Sequence, residues 1–240
     1  MKKTKYGIAF TADGGLRAYE GVGSGGGEVK ERPILFSAPM VRALIDGRKT
    51  VTRRIVKERP GHRIDVTRNS IPVYVTGAPD DGGEPIRCPY GVPEDRLWVK
   101  ETYAFSKAFD RTKPREVPGI QGDRGTVWWA ADGAEEESWI NRGRWRPSIH
   151  MPRWASRTTL EIVDVRVERL QDITEEDARA EGVTPFRKDP EGDCWTDGTY
   201  RTAFEFLWNE INGWNPNSWE SNPWVWRIEF RRLPSASEDR

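Results

Sequence analysis

The sequence predicts an α+β fold, a small and mostly antiparallel β-barrel with two or three covering helices and long loop insertions. Three observations lead there. Segments with period-two apolar alternation outnumber segments of helical period, and they do not alternate regularly with helices along the chain. The clearest, residues 158–170 (TTLEIVDVRVERL), places Leu160, Ile162 and Val167 on one face with Val163 or Val165, so a bulge falls near residues 163–164. The stretches 58–95, 104–150 and 184–198 are rich in proline, glycine and charge and separate the strands as insertions.

Residues 1–30 read as an arm. Residues 6–10 and 16–19 form a small hairpin about Asp13-Gly14-Gly15, followed by a flexible GVGSGGG linker at 21–27. No Gly-Lys-Ser/Thr follows that linker, so it is not a phosphate loop. The main domain spans 31–233, and a polar tail occupies 234–240. Its organising unit is residues 33–57, PILFSAPMVRALIDGRKTVTRRIVK. Ile34, Leu35 and Phe36 make a short buried strand. Ser37 caps a helix carrying Pro39 in its first turn and Met40, Ala43, Leu44 and Ile45 on its apolar face. Gly47 ends that helix, and residues 50–56 form the next strand. Arg48, Lys49, Arg53 and Arg54 therefore crowd a helix-to-strand corner.

Farther along, one strand is expected at 71–75 within an irregular surface. Another runs through 96–103 (RLWVKETY), with Leu97, Val99 and Glu101 opposite Trp98, Lys100 and Thr102. Residues 104–125 read as polar and irregular, and 127–131 (VWWAA) as a strand. Residues 144–157 (RWRPSIHMPRWASR) interleave arginine with tryptophan, a composition that suits phosphate contact and base stacking as well as a proline-fixed loop packing inward. A short helix at 174–182 has Thr174 as its cap, with Asp177 in the reciprocal position of a capping box. Glu181 sits at the C-terminal end of that helix, against the negative end of its dipole, a conflict of the kind functional residues show. Residues 200–211 form an amphipathic helix burying Phe204, Leu207, Trp208 and Ile211, and 224–233 a closing strand.

Composition narrows the function classes. The 240 residues carry 38 basic and 38 acidic side chains, so there is no global pull toward nucleic acid or membrane, and any such binding needs a local patch. The twelve tryptophans supply core anchors and a few stacking platforms. No apolar run reaches the ~20 residues of a bilayer span, and no signal-peptide core follows Met1. Two cysteines are too few for a disulfide scaffold, so the expected setting is a reducing cytoplasm. Cys88, Cys194, His62 and His150 lack paired zinc-ligand spacing, so no metal and no cofactor is expected.

The helix with Gly47-Arg48-Lys49-Thr50-Val51-Thr52-Arg53-Arg54, the strand Asp95-Arg96-Leu97-Trp98-Val99 and the short helix at 174–181 together resemble the ASCH domain of the PUA-like superfamily. Segments similar to SIHMPRWASR and NPWVWRIEF occur in the longer ASCH-like proteins of bacteriophages and prophages. The resemblance covers roughly residues 32–233 with the insertions allowed for. It implies a PUA-like fold that recognises RNA or a modified nucleoside. One bacterial branch is an amidohydrolase that removes acetyl from N4-acetylcytidine, and its lysine, threonine and glutamate fall on Lys49, Thr52 and Glu181. The insertions and the arm depart from that branch, so the residues carry over better than the substrate.

In that reading Thr52 is the nucleophile, Lys49 its base once its pKa is lowered, and Glu181 the orienting residue and proton shuttle. Arg48, Arg53, Arg54, Trp98, His150, Arg153, Trp154 and Arg157 are the ligand- or nucleic-acid-binding candidates. The competing structural reading makes Lys49 and Glu181 a salt bridge and Thr52 an ordinary strand residue. Two further functional classes stand beside the amidohydrolase. One is a nucleic-acid-binding phage accessory protein without chemistry, on RNA or DNA. The other is a ribonuclease, for which His150 is the better of two histidines.

Overall fold

The computed structural model of the protein describes residues 8–10, 16–18, 28–66, 72–76, 83–118, 127–133, 141–185, 198–213 and 216–234. The Gly-rich linker, the turn at 13–15, Cys194, most of the 184–198 insertion and nearly all of the tail lie outside these. Two short strands, β1 (Ile8–Phe10) and β2 (Leu16–Ala18), pair antiparallel as the hairpin expected in the arm.

The main domain is α+β, with three α-helices among the described residues and mostly antiparallel sheets. Its centre is a five-stranded sheet of β3 (Glu31–Leu35), β8 (Arg96–Lys100), β11 (Thr159–Arg169), β12 (Trp224–Arg232) and β4 (Val51–Ile55), in that order. Only the β3–β8 pair is parallel. The long alternation of β11 lets it pair with both β8 and β12. Its register slips between Ile162 and Asp164, so Val163 bulges out and is 46% exposed, while Val165 returns to the core. Leu160, Ile162, Val165, Trp226, Ile228 and Phe230 then pack against Ile34, Leu97, Val99 and the helix α1 (Ala38–Ile45).

The expected barrel does not close. The edge strands β3 and β4 share no ladder. Pro33 removes a donor from β3, as befits an edge strand, and the chain leaves at Phe36, whose N–H bonds Lys100 O at 3.0 Å. A side chain spans the seam: Arg54 Nη2 on β4 donates to Leu35 O on β3 at 2.8 Å.

The helices differ from expectation in detail. Helix α1 buries Val41, Ala43 and Leu44, whereas Ile45 is exposed and Met40 only partly covered. Ser37 occupies the cap position, yet its hydroxyl makes no capping bond. Helix α2 (Glu175–Ala180) is capped as predicted, Thr174 Oγ1 accepting from Asp177 N at 3.1 Å. Helix α3 (Tyr200–Asn212) buries Ala203, Phe204 and Trp208 but leaves Ile211 exposed and Leu207 half-buried. Its Phe204 and Trp208 join Leu170, Ile173, Ala178, Trp219 and Val225 in a second core on the other side of β12.

Two insertions are more ordered than their composition suggests. The first carries a three-stranded sheet of β5 (Arg63–Val66), β6 (Pro72–Val75) and β7 (Glu84–Pro85), where a single strand was expected. The second pairs β9 (Tyr103–Phe105) with β10 (Val127–Trp129) and builds a third core from Tyr103, Phe105, Val117, Val127, Met151 and Ala155. The described residues 104–118 are therefore not simply polar and irregular, since Phe105 and Val117 are core. The expected strand at 96–103 breaks after Lys100 and restarts as β9.

Candidate active site at the α1–β4 corner

The Gly47–Thr50 turn caps the C-terminus of α2. The last carbonyls of a helix lack intrahelical donors, and this turn supplies them. Arg48 Nη1 donates to Gly182 O at 3.0 Å, Thr50 N to Ala180 O at 2.9 Å and Lys49 Nζ to Glu181 O at 2.8 Å. Two left-handed glycines make the approach possible. Gly47 (φ +71°) turns the chain out of α1, and Gly182 (φ +84°) lies so close that a Cβ there would meet Ala43 Cβ at 2.8 Å and Lys49 Cβ at 2.9 Å.

Lys49 is wholly buried, and its ammonium has three acceptors: Val51 O at 2.9 Å, Glu181 O, and Glu181 Oε2 at 2.6 Å. Burial pushes its pKa below the ordinary lysine value, Glu181 pulls it back up, and the Arg54 and Arg53 charges push it down again, leaving it lowered. Glu181, 3% exposed in its side chain, takes Arg53 Nη1 at 3.3 Å through its other oxygen. The carboxylate that is badly placed for the helix dipole is thus held between two cations. The salt bridge of the competing structural reading is present.

Thr52 is fully buried on β4, and its Oγ1 accepts from Arg54 Nη1 at 2.9 Å. Among the described residues no hydrogen bond joins Lys49 to Thr52. Phe36 connects their surroundings, with Lys49 Nζ 5.5 Å and Arg54 Cζ 5.1 Å from its ring centroid. Arg54 has no carboxylate within ion-pair distance among the described residues. It also donates to Arg53 O at 3.1 Å and Leu35 O at 2.8 Å and bonds the Tyr90 side chain, and burial lowers its pKa against the pull of Tyr90 and Glu181. A guanidinium without a carboxylate in ion-pair contact among the described residues therefore stands beside the Thr52 hydroxyl at the open seam.

Behind this cluster lies an ion network that the sequence reading missed. Cross-strand register sets Arg53 (β4) opposite Arg227 (β12), and Arg227 opposite Arg166 (β11), three like charges in a row. Such a row is destabilising unless acids are interposed. Helix α2 interposes Asp177, which reaches Arg53 Nη2 at 2.9 Å, Arg227 Nη2 at 2.9 Å and Arg166 Nη2 at 3.7 Å. Glu168 takes Arg53 Nε at 2.8 Å and Arg166 Nε at 3.1 Å. Burial would raise the Asp177 pKa, but Arg227 and Arg53 outweigh it and hold it below the usual carboxylate range. The carboxylate expected to close a capping box is spent on these arginines instead. The signal was available in the alternation of β11 and β12, but only once their register is known.

The other candidates fall elsewhere. Arg48 is exposed and paired with Asp46. Arg53 is buried in the network and presents no surface to a phosphate. Trp98 is half-buried, with Lys100 Nζ 5.4 Å and Arg153 Cζ 5.8 Å from its ring; Lys100 also bonds Ile149 O, and Arg153 bonds Glu31 at 3.1 Å. His150 is exposed on the 3-10 turn Ser148–His150. Trp154 stacks on Phe105 at 5.2 Å and packs toward the third core. Arg157 grips both oxygens of buried Glu101 at 3.0 Å, bonds Asp132 and lies over Trp129.

Burial pushes the Cys88 thiol up to about 11, and among the described residues no His, Cys, Asp and Glu cluster is arranged to hold a metal. Among those residues, too, no helix is long and apolar enough to cross a membrane. No protein-family model matches the chain, and neither a curated protein nor a solved structure matches it.

Proposed function

We propose that the chain is an ASCH-type, PUA-like protein that recognises RNA or a modified nucleoside and hydrolyses an N4-acetylcytidine-like amide, with Thr52, Lys49 and Glu181 as its reacting groups. The observation that carries this reading is the wholly buried Lys49–Glu181 pair, 2.6 Å apart, with its lysine pKa lowered, at the corner that also holds Thr52. Burial disfavours separated charge, so moving one proton along that bond yields an amine and a carboxylic acid, which are a base and an acid side by side. The amine takes the Thr52 proton as Oγ1 bonds to the substrate carbonyl carbon. Arg54, already on Oγ1 and without a carboxylate of its own, stabilises the oxyanion. The carbon–nitrogen bond then breaks, Glu181 protonates the leaving amine, and water releases acetate from the acyl-threonine.

Binding without turnover is the second reading, favoured by one observation: all three Lys49 ammonium protons have acceptors, an arrangement that suits a permanently charged lysine. Mass spectrometry of N4-acetylcytidine, free and within RNA, after incubation with wild type and with Lys49→Ala separates the two. Loss of acetyl with wild type alone supports hydrolysis, and no loss with either leaves the binding reading.

A further inference from the structure

Lys49, Thr52 and Glu181 are all buried, so a ligand reaches their corner only where a covering group gives way. Two covers lie over it, and they are held differently. Helix α2, which carries Glu181, is tied by charge. Asp177 meets Arg53 and Arg227 at 2.9 Å each, and Glu175 accepts from Tyr200 N at 2.9 Å and Arg201 N at 3.2 Å, joining α2 to α3. Lifting α2 would strip buried arginines of their carboxylate.

The second cover is the Arg54 side chain. It bridges the gap in the sheet, where β3 and β4 share no ladder. Its partners are the Thr52 hydroxyl, the Arg53 and Leu35 carbonyls, the Phe36 ring and the Tyr90 side chain, with no carboxylate in ion-pair contact among the described residues. Arg54 is already half-exposed at the seam. Turning outward, its guanidinium exchanges these partners for water, which solvates a cation well, so this cover opens at lower cost than α2.

The far side of the gap is a rigid frame. Tyr90 belongs to the turn at 88–95 and packs against the main core. Asp95 fixes that turn, accepting from Lys30 N at 3.0 Å, Val92 N at 3.2 Å and Arg32 Nη1 on β3 at 2.7 Å. Gly91 (φ +125°) lies so close that a Cβ there would meet Asp95 Oδ2 at 2.7 Å. Glu94 holds a left-handed φ of +77°, with its N–H bonded to Ile162 O at 2.9 Å. A non-glycine residue in that region is kept there by its surroundings. Tyr90 is thus a fixed post, and Arg54 is the part that moves.

We propose that the β3–β4 seam is the entrance to the Lys49–Thr52–Glu181 corner, that the Arg54 side chain is its gate, and that Tyr90 latches the gate shut. On reclosing, the same guanidinium returns to the oxyanion assigned to it above. The inference rests on that corner being the site, and its test reads access rather than turnover. Thr52→Cys places a thiol behind the gate. Its alkylation by iodoacetamide is followed by mass spectrometry of the peptide containing residue 52, which keeps Cys88 and Cys194 out of the signal. Adding Tyr90→Phe should speed labelling about fivefold, the factor for one net hydrogen bond. Adding Arg54→Ala, which removes several bonds, should speed it by more than about tenfold. Loss of the neighbouring cation would by itself leave the thiol less ionised and slower, so acceleration reports access. Asp177→Asn, added instead, loosens α2 and should change the rate less than either. Faster labelling with Asp177→Asn than with Arg54→Ala places the entrance under α2 and overturns the proposal, as do equal rates in all four proteins. If Arg54→Ala fails to fold by circular dichroism, the comparison of Tyr90→Phe with Asp177→Asn decides in the same way. Gate variants that label fast while wild type releases no acetate from N4-acetylcytidine would sink the hydrolysis and support the gate.

Discussion

Glu181→Gln is the most informative single perturbation of the buried corner. It removes the one carboxylate in contact with Lys49 Nζ and leaves the ammonium with two carbonyls and a neutral amide. Arg53 loses only its long 3.3 Å contact and keeps Glu168 and Asp177, so the loss falls on Lys49. Breaking a buried pair from one side destabilises by about 3–5 kcal/mol, and because glutamine retains an acceptor the lower end applies, about 3 kcal/mol. With a urea slope of about 2 kcal/mol per molar, the unfolding midpoint should fall by about 1.5 M with no change of slope. The exposed Asp46–Arg48 pair provides the contrast, and Asp46→Asn should change stability by less than about 0.5 kcal/mol. The pH dependence has a defined sign. The Lys49 pKa is lower in the folded chain than in the unfolded one, so the unfolded state binds more protons in the window below 10.5. Stability from this group therefore rises with pH through that window. Without Glu181 pulling the pKa up, the rise should be steeper in Glu181→Gln than in wild type. A midpoint shift under about 0.5 M, with a pH profile identical to wild type, would refute this account of the corner.

Asp177 gives the acid-side counterpart: its folded pKa is lowered, so its contribution is full above the unfolded value and is lost as pH falls through the folded one. Urea midpoints between pH 6 and pH 3 should accordingly drop less in Asp177→Asn than in wild type. Gly182→Ala should destabilise by at least about 1–2 kcal/mol, because a left-handed backbone and two contacts under 3.0 Å are both violated, and thermal melting checks it. At the β11 bulge, Val163→Thr should be neutral within about 0.5 kcal/mol while Val165→Ala costs about 1–3 kcal/mol, read from paired denaturation curves.

Much of the central sheet was legible because β11 and β12 are long and apolar residues alternate along most of β11, and the bulge was legible because two valines compete for one face at residues 163–165. The meeting of Lys49 with Glu181 came through the family resemblance, and the dipole conflict at Glu181 pointed independently to the same residue. Barrel closure was not legible: whether β3 and β4 pair depends on how Pro33 and the Arg54 side chain share the seam, a tertiary matter. The helix faces slipped at Ile45 and Ile211, which lie at or next to the last residue of their helices and are exposed. The Arg53–Arg227–Arg166 row could not be foreseen, since no two of those residues are close in sequence and only cross-strand register aligns them. The insertions hid their order because short strands and 3-10 turns carry little periodicity, and their core residues Tyr103, Phe105 and Met151 are scattered.

The central claim is that the Thr52 hydroxyl attacks the substrate amide. Valine matches threonine in shape but lacks that hydroxyl, whereas serine keeps it. Cytidine released from N4-acetylcytidine should be quantified by mass spectrometry for wild type, Thr52→Ser and Thr52→Val, with folding of each verified by circular dichroism. The account predicts turnover by wild type, residual turnover by Thr52→Ser and none by a folded Thr52→Val. Turnover by Thr52→Val at the wild-type rate, or none by wild type, would contradict it.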